Sequence, residues 1–371
     1  MELGLHLVVE KTLPPAIARY RQCVIDLEPD CLWLSDRLLI DDCSHLFHDG
    51  DSGDISQEPA EFLDPFITIA ALAAQRSTQP QFGIAVTDFS RRAAPDLVRA
   101  SYTINQIIDS PLNIGFGAGE AINLIPLGYA HGPRPVSRLS TELARFRHLN
   151  DTGLFRTEDE QAKITTLGYN NCPSRLWVGG QRNRILNLTG RYADGWLPAW
   201  KMSAAEYLEC ANRLRRIAAI YRRSCPTLGL FAMPILGPSR AELLDYFADS
   251  PAARAIALMA SAELWRKWGV EHPAGPNSKG LFDVLLSTIP TEVVRRALES
   301  VPAGLVGDIL FLGNIGELID EFRRFAEVGL QHLSLLVPDF RNPRISYGVA
   351  NFDQEFQELC YEIKRCSRRN H

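Results

Sequence analysis

Glu120 stands at the end of a run of alternating glycines, Gly115, Gly117 and Gly119, in the segment NIGFGAGE. A carboxyl group so placed can exchange a proton with a substrate whose bond is being reduced or oxidised. Glycine lets a flat ring or a phosphate approach backbone that a Cβ would shield. The GxGxG run also imitates a dinucleotide fingerprint. That fingerprint opens a helix in a βαβ unit near the chain start, whereas here Glu120, Asn123 and then Pro126 follow. A second pair, Gly179-Gly180, precedes a helical stretch, where free backbone N–H groups attract phosphate. Arg91-Arg92 offers a clamp for an anionic tail. Ser35-Asp36-Arg37 and Thr87-Asp88 close two further apolar runs, and His6 lies inside the first one. Each group has a plain alternative. Glu120 would be a solvated or capping carboxylate, the glycine pair a tight turn, the arginines a solvated face, and His6 a core histidine.

These groups need elements to hold them. Eight short apolar runs read as strands, at residues 3–9, 31–35, 82–87, 112–116, 175–179, 194–198, 228–234 and 332–337. Several are continuously apolar, as strands covered on both faces are. Amphipathic stretches at 14–26, 64–76, 94–108, 136–149, 182–192, 204–222 and 314–328 read as helices, the last stopping at Gly329. Eight strand–helix steps predict a closed (β/α)8 TIM barrel spanning the chain as one domain, with a doubly wound open sheet as the competitor. Barrels meet their substrates at the C-terminal ends of their strands, where most of these candidates fall. Two stretches depart from the repeat. Residues 41–61 read as a long polar loop, and 240–312 as a helical insertion before the last barrel helix. Both belong near the C-terminal face, as a lid or substrate wall, or as a packed excursion without chemistry.

With 371 residues, 46% of them hydrophobic, the chain can bury a large core, and its charged content is that of a soluble globular protein. Its 39 basic and 44 acidic residues argue against a protein that neutralises many phosphates of a nucleic acid. No apolar run is long enough for a membrane span, and the N-terminus reads as a strand, not a signal peptide. Eight scattered cysteines without a CxxC read as free thiols of a cytoplasmic protein. Cys43, His45 and His48 are the nearest approach to a metal cluster, but no second half accompanies them, so no metal site is expected.

At these residues the sequence resembles the bacterial-luciferase-like flavin and deazaflavin oxidoreductases. The resemblance runs through CLWLSDRLL, VTDFSRRAAPDLVRA, NIGFGAGEAINLIPLGY, RLWVGGQRNRILNLTGRYADGWLP and FLGNIGELIDEFRRFAEVGLQHLSL, in that order. The segment GAGEAINLIPLGY is most similar to the branch that uses coenzyme F420, a 5-deazaflavin, which includes methylenetetrahydromethanopterin reductase. The resemblance implies a barrel, an F420 cofactor with FMN as the alternative, a small-molecule substrate, a homodimer, and a reductase or F420-reducing dehydrogenase as redox supplier. Glu120 matches the carboxyl group near the ring, and Asp36 the acidic residue after strand two. Ala85-Val86 matches the position of a non-prolyl cis peptide behind the ring. Thr87 and Gly179-Gly180 match cofactor contacts, and Arg91, Gly117, Gly119 and Asn123 complete the expected cofactor surroundings.

One departure matters. Where the family's Asp-His pair places a histidine, this chain has Arg37. Histidine titrates near neutral pH and arginine does not. Arg37 is therefore expected to hold an anionic substrate or a developing oxyanion. The expected catalytic set is Glu120, Arg37, Asp36 and His6. The leading function is hydride transfer between F420 and an unsaturated or carbonyl substrate. The alternatives are an FMN-dependent monooxygenase and a barrel that binds a ligand without catalysis.

Overall fold

In the computed structural model eight parallel strands close into a barrel, and helices surround it. The structure describes residues 1–7, 13–39, 62–74, 79–156, 163–165, 173–251, 253–337 and 352–369. Among the described residues twelve strands are formed: β1 (Glu2–Leu7), β2 (Cys31–Leu34), β3 (Gln81–Thr87), β4 (Asn113–Phe116), β5 (Leu154–Arg156), β6 (Lys163–Thr165), β7 (Arg175–Val178), β8 (Gly195–Trp196), β9 (Thr227–Ala232), β10 (Pro234–Leu236), β11 (Phe311–Gly313) and β12 (His332–Leu336). The barrel order is β1-β12-β9-β8-β7-β4-β3-β2. The expected TIM barrel is thus the observed fold. The expected strand at 228–234 proves to be two: β9 belongs to the barrel, and β10 pairs in parallel with β11 outside it. The β5–β6 hairpin and β11 were not anticipated. Both contain strands of three residues, too short for a periodicity to show.

Helix ends follow local chemistry. Asp64 accepts from the backbone of Phe66 and Ile67 at the start of Pro65–Ala73. Ser203 with Glu206 and Asn314 with Glu317 form capping boxes at Ala204–Ile220 and Ile315–Glu327. The basic tail forms the helix Phe352–Arg369, packed on β1 and on Leu13–Leu27. Among the described residues no helix is long and apolar enough to cross a membrane, and no cluster of metal-ligand residues is present. Cys43, His45, His48 and the whole loop 41–61 lie outside the described residues.

Side chains alternate across each strand, so burial divides the barrel into an outer and an inner set. Leu3, Leu5 and Leu7, Leu32 and Leu34, and Leu333 and Leu335 join the layer between barrel and helices. Gly4, His6, Trp33 and His332 therefore face inward. Trp33 and Trp177 fill the middle of the barrel. Glycine is required where they sit: a Cβ at Gly83 would overlap the Trp33 ring, and one at Gly195 the Trp177 ring. Their indole N–H groups donate to His332 Nε2 at 2.8 Å and to Asn113 Oδ1 at 2.9 Å. His332 Nδ1 in turn donates to Glu2 at 3.0 Å. These bonds pair the indole N–H groups and the His332 ring in the plugged lower barrel, while the Ser334 hydroxyl stays buried without a partner.

The insertion between β10 and β11 has a core of its own, including Phe247, Trp265, Leu298 and Leu305. Its described helices are Arg240–Asp249, Ala262–Lys267, Thr291–Ser300 and Ala303–Gly307, with a 3-10 segment Ala253–Met259 between the first two. Lys201 anchors it to the barrel, donating to the carbonyl of Leu310 at 3.0 Å and to Glu321 at 2.9 Å.

Candidate functional site

The upper inner layer of the barrel is small on one side and bulky on the other. Ser35, Ala85, Gly117 and Gly179 continue the inward set on β2, β3, β4 and β7. Leu197, Phe231 and Leu336 continue it on β8, β9 and β12. A shallow hollow therefore lies over β2, β3, β4 and β7, and Ala85, Val86, the stretch 117–120 and the stretch 179–181 are all partly exposed there.

Strand β3 shapes that hollow. The Ala85–Val86 peptide is cis, at the position expected from the resemblance. Between Ile84 and Thr87 the register against β4 shifts, so β3 holds one extra residue there. The extra residue lets both Ala85 and Val86 face inward. The Val86 side chain enters a notch left by Gly115, Gly117 and Gly179. A Cβ on Gly115 or Gly117 would come within 2.9 Å of it. The alternating glycines thus admit a valine from the next strand. Thr87 is turned the other way. It pairs with Phe116, whose ring stacks on Phe89 in the outer layer. Its hydroxyl is buried there without a partner, and its carbonyl accepts from Gly117 N at 2.9 Å.

Arg37 and Glu120 meet at the rim of this hollow. Arg37 Nη2 donates to both Glu120 oxygens at 3.2 Å, and both side chains are about one-fifth exposed. Asn123 Nδ2 donates to Glu120 Oε2 at 2.9 Å, while Asn123 Oδ1 accepts from the backbone of Leu38 and Leu39 at 2.8 and 2.9 Å. Asn123 thereby ties the chain after β2 to the chain after β4, and both ends of its amide are occupied. Among the described residues, the hydrogen bonds to the Glu120 oxygens all come from donors, Arg37 and Asn123, so the carboxyl oxygens act as acceptors in them. Gly119 makes the approach possible, with φ of 90° and a Cβ position only 2.7 Å from Leu124.

Asp36 and Arg91 do not reach the hollow. Arg91 donates through Nε to Asp88, through Nη2 to the carbonyl of Asp36 at 2.6 Å, and through Nη1 to the Asp36 carboxylate at 3.3 Å. Arg92 donates to Asp36 at 3.0 Å and to Asp64 at 2.6 Å. The Arg91, Asp36 and Asp88 side chains are nearly inaccessible. These five charges form a closed network that lashes the loops after β2 and β3 to the helix Pro65–Ala73.

His6 Nε2 lies 2.6 Å from Ser35 Oγ, and its ring meets Phe231 edge-on. Burial, with the Arg37 charge adding to it, pulls the imidazole from near 6.5 down to about 3. His6 is therefore neutral at physiological pH. A depressed histidine pKa carries a definite pH signature. Below about 6.5 the unfolded chain takes up a proton that the native one refuses, so stability falls as pH drops from about 6.5 towards 3. The slope from this group approaches about 1.4 kcal/mol per pH unit. A His6→Gln variant lacks it. Urea unfolding of both proteins should give a constant difference above pH 7, drifting in the variant's favour between pH 6 and 4. A difference that stays constant through that window would mean that His6 titrates normally in the native protein.

On the far side of the hollow, Gly180 takes φ of 103° and leads into the helix Asn183–Tyr192, whose N-terminus has no side-chain cap. Gln181 Oε1 beside it is buried without a partner. The insertion closes this side. Its turn Gly280–Phe282 lies against Ala121–Leu124, and Glu263 pairs with Arg182 at 3.5 Å. The sequence places the insertion only coarsely and offers Ser35 only as a strand-end candidate beside Asp36 and Arg37, without its place in the inner layer. Its position one alternation beyond Trp33 was the available signal.

Three comparisons bear on this geometry. A family model described as luciferase-like monooxygenase matches residues 48–332. A phthiodiolone/phenolphthiodiolone dimycocerosates ketoreductase from Mycobacterium kansasii is 28% identical over 296 residues, covering 77% of this chain and 80% of the relative. Among solved structures, an F420-dependent secondary alcohol dehydrogenase bound to an F420-acetone adduct superposes with a TM-score of 0.67 at 14% identity, covering 98% of each chain. The oxygenating constituent of 3,6-diketocamphane monooxygenase from Pseudomonas putida, in complex with FMN, gives 0.61 at 13% identity, covering 98% of this chain and 97% of the other.

Proposed function

We propose that this chain, which belongs to the luciferase-like monooxygenase family, is an F420-dependent oxidoreductase that interconverts a carbonyl compound and its alcohol, or reduces a comparable unsaturated bond. The observation that carries the reading is the Arg37–Glu120–Asn123 constellation at the rim of a hollow floored by Ala85 and Val86. The ketoreductase relative supports a carbonyl substrate. The residues present fit a ring-and-tail cofactor. The floor is small and partly exposed, the uncapped helix start after Gly179-Gly180 suits an anionic tail, and the buried Gln181 Oε1 lacks a partner. A bound deazaflavin supplies two-electron hydride chemistry.

The chain's own groups supply the rest. Glu120, an acceptor at both oxygens, takes the hydroxyl proton in the alcohol-to-carbonyl direction and returns it in the reverse. Arg37 orients Glu120 through its guanidinium and stabilises negative charge without moving a proton. Asn123 holds Glu120 and the chain after β2 in one arrangement. The insertion, lying against Ala121–Leu124, limits water at the rim. The same reading includes a homodimer and a dehydrogenase that reduces the deazaflavin.

Fluorescence titration of the purified protein distinguishes the cofactors. F420 is expected to bind at micromolar concentration and FMN much more weakly. An equal or reversed preference replaces this reading with a flavin-dependent monooxygenase.

A further inference from the structure

We infer that Ser35 presents a free hydroxyl hydrogen to a ligand oxygen at the barrel mouth, because His6 donates to it from Nε2. The inference rests on the carbonyl–alcohol reading above and adds to it a second group for the substrate oxygen.

The His6 ring is almost wholly buried, at 5% exposure. Nε2 lies 2.6 Å from Ser35 Oγ, and Nδ1 is buried without any partner. A neutral imidazole carries its proton on one nitrogen only. A buried N–H with no acceptor is rarer and less tolerable than an unpaired acceptor. The economical arrangement therefore leaves Nδ1 bare and puts the proton on Nε2. With Nε2–H as donor, Ser35 Oγ is the acceptor in the 2.6 Å contact. The serine's own hydrogen is then left over, and no other hydrogen bond of Ser35 is formed among the described residues. Unlike His6, Ser35 is partly exposed. It belongs to the small side of the upper inner layer, with Ala85 on the next strand and Arg37 two residues on.

The ligand chemistry follows from these positions. An O–H donor on β2's end, two residues before Arg37, suits an oxygen that gains negative charge, as the oxygen of a ketone or aldehyde does when hydride reaches its carbon. His6 acts through Ser35 and is a positioning residue. A neutral histidine is suited to that task because its donor does not come and go with pH. The bond to the ligand oxygen is a hydrogen bond, so no proton is lost from Ser35 and none is required of His6.

Two measurements decide the matter. The first uses the protein without added ligand, labelled with 15N-histidine, and assigns His6 among the eight histidines by comparison with His6→Gln. Long-range proton–nitrogen spectra at pH 7 are expected to show the Nε2-protonated tautomer, and Ser35→Ala is expected to shift its Nε2 signal. An Nδ1-protonated tautomer overturns the inference, whatever activity the protein has. The second uses F420-loaded protein with butan-2-one as probe. Ser35→Ala should lower kcat by roughly 10- to 100-fold with cofactor affinity unchanged, and Ser35→Thr should restore most of it. Parental kcat and KM in Ser35→Ala overturn the inference. Absence of butan-2-one turnover in the parent counts against the carbonyl reading instead, and the tautomer measurement then decides the role of Ser35 by itself.

Discussion

Glu120→Gln is expected to slow single-turnover hydride transfer by roughly 10²- to 10⁴-fold while leaving F420 affinity nearly unchanged. The reason is in the hydrogen bonds. Glu120 accepts from Arg37 at both oxygens and from Asn123 at Oε2. Glutamine keeps the length and shape but offers one acceptor and one NH2 group. Whichever way the amide turns, a donor faces either Arg37 or Asn123, and no oxygen remains that can take a substrate proton. Arg37→Lys is the companion variant. Its charge is kept, but an ammonium on a different stem does not reproduce the single guanidinium nitrogen that spans both Glu120 oxygens at 3.2 Å. Turnover should fall clearly there too. Stopped-flow absorbance of the cofactor, with titration alongside, reads both steps. Unchanged transfer in Glu120→Gln would reduce Glu120 to pocket wall and move the proton elsewhere.

Arg91→Met should destabilise the fold by about 3 to 5 kcal/mol, the range for removing one member of a buried charge network. Methionine roughly keeps the volume but leaves the Asp36 carbonyl without its donor and Asp88 without its guanidinium. Arg92→Met should cost less, because the Arg92 side chain is 28% exposed and water can reach what it leaves. Denaturant unfolding measures both. The comparison also tests the expectation, drawn from the adjacent arginine pair, that Arg91 holds an anionic cofactor tail. Unchanged stability with lost F420 affinity would establish that role. Lost stability with affinity retained in the folded fraction would establish Arg91 as an internal tie.

Much of the barrel was legible in the sequence because strand character is local. The runs at 31–35, 112–116 and 332–337 carry their apolar pattern within a few residues, and they recur between helical stretches eight times. Glu120 was legible for the same reason, since a carboxyl group directly after a glycine-rich strand falls at the mouth of any such barrel. Pairing was not legible. Arg37 and Glu120 are 83 residues apart, and Arg91 and Asp36 are 55 apart. Whether an arginine faces a ligand or two aspartates depends on which loop folds over it, and no local pattern records that. The glycine notch carries the same lesson. The spacing of Gly115 and Gly117 announced a close approach, but a one-residue register shift in β3 decided that Val86 makes it and that Thr87 turns away. Nor did the sequence separate β10 from β9, because a strand of three residues takes its identity from its neighbour β11, 77 residues onward. Periodicity and turn chemistry act within a few residues, and they determined the elements and their order. Register, burial and charge pairing join distant segments, and they alone decided which of the candidate groups share a site.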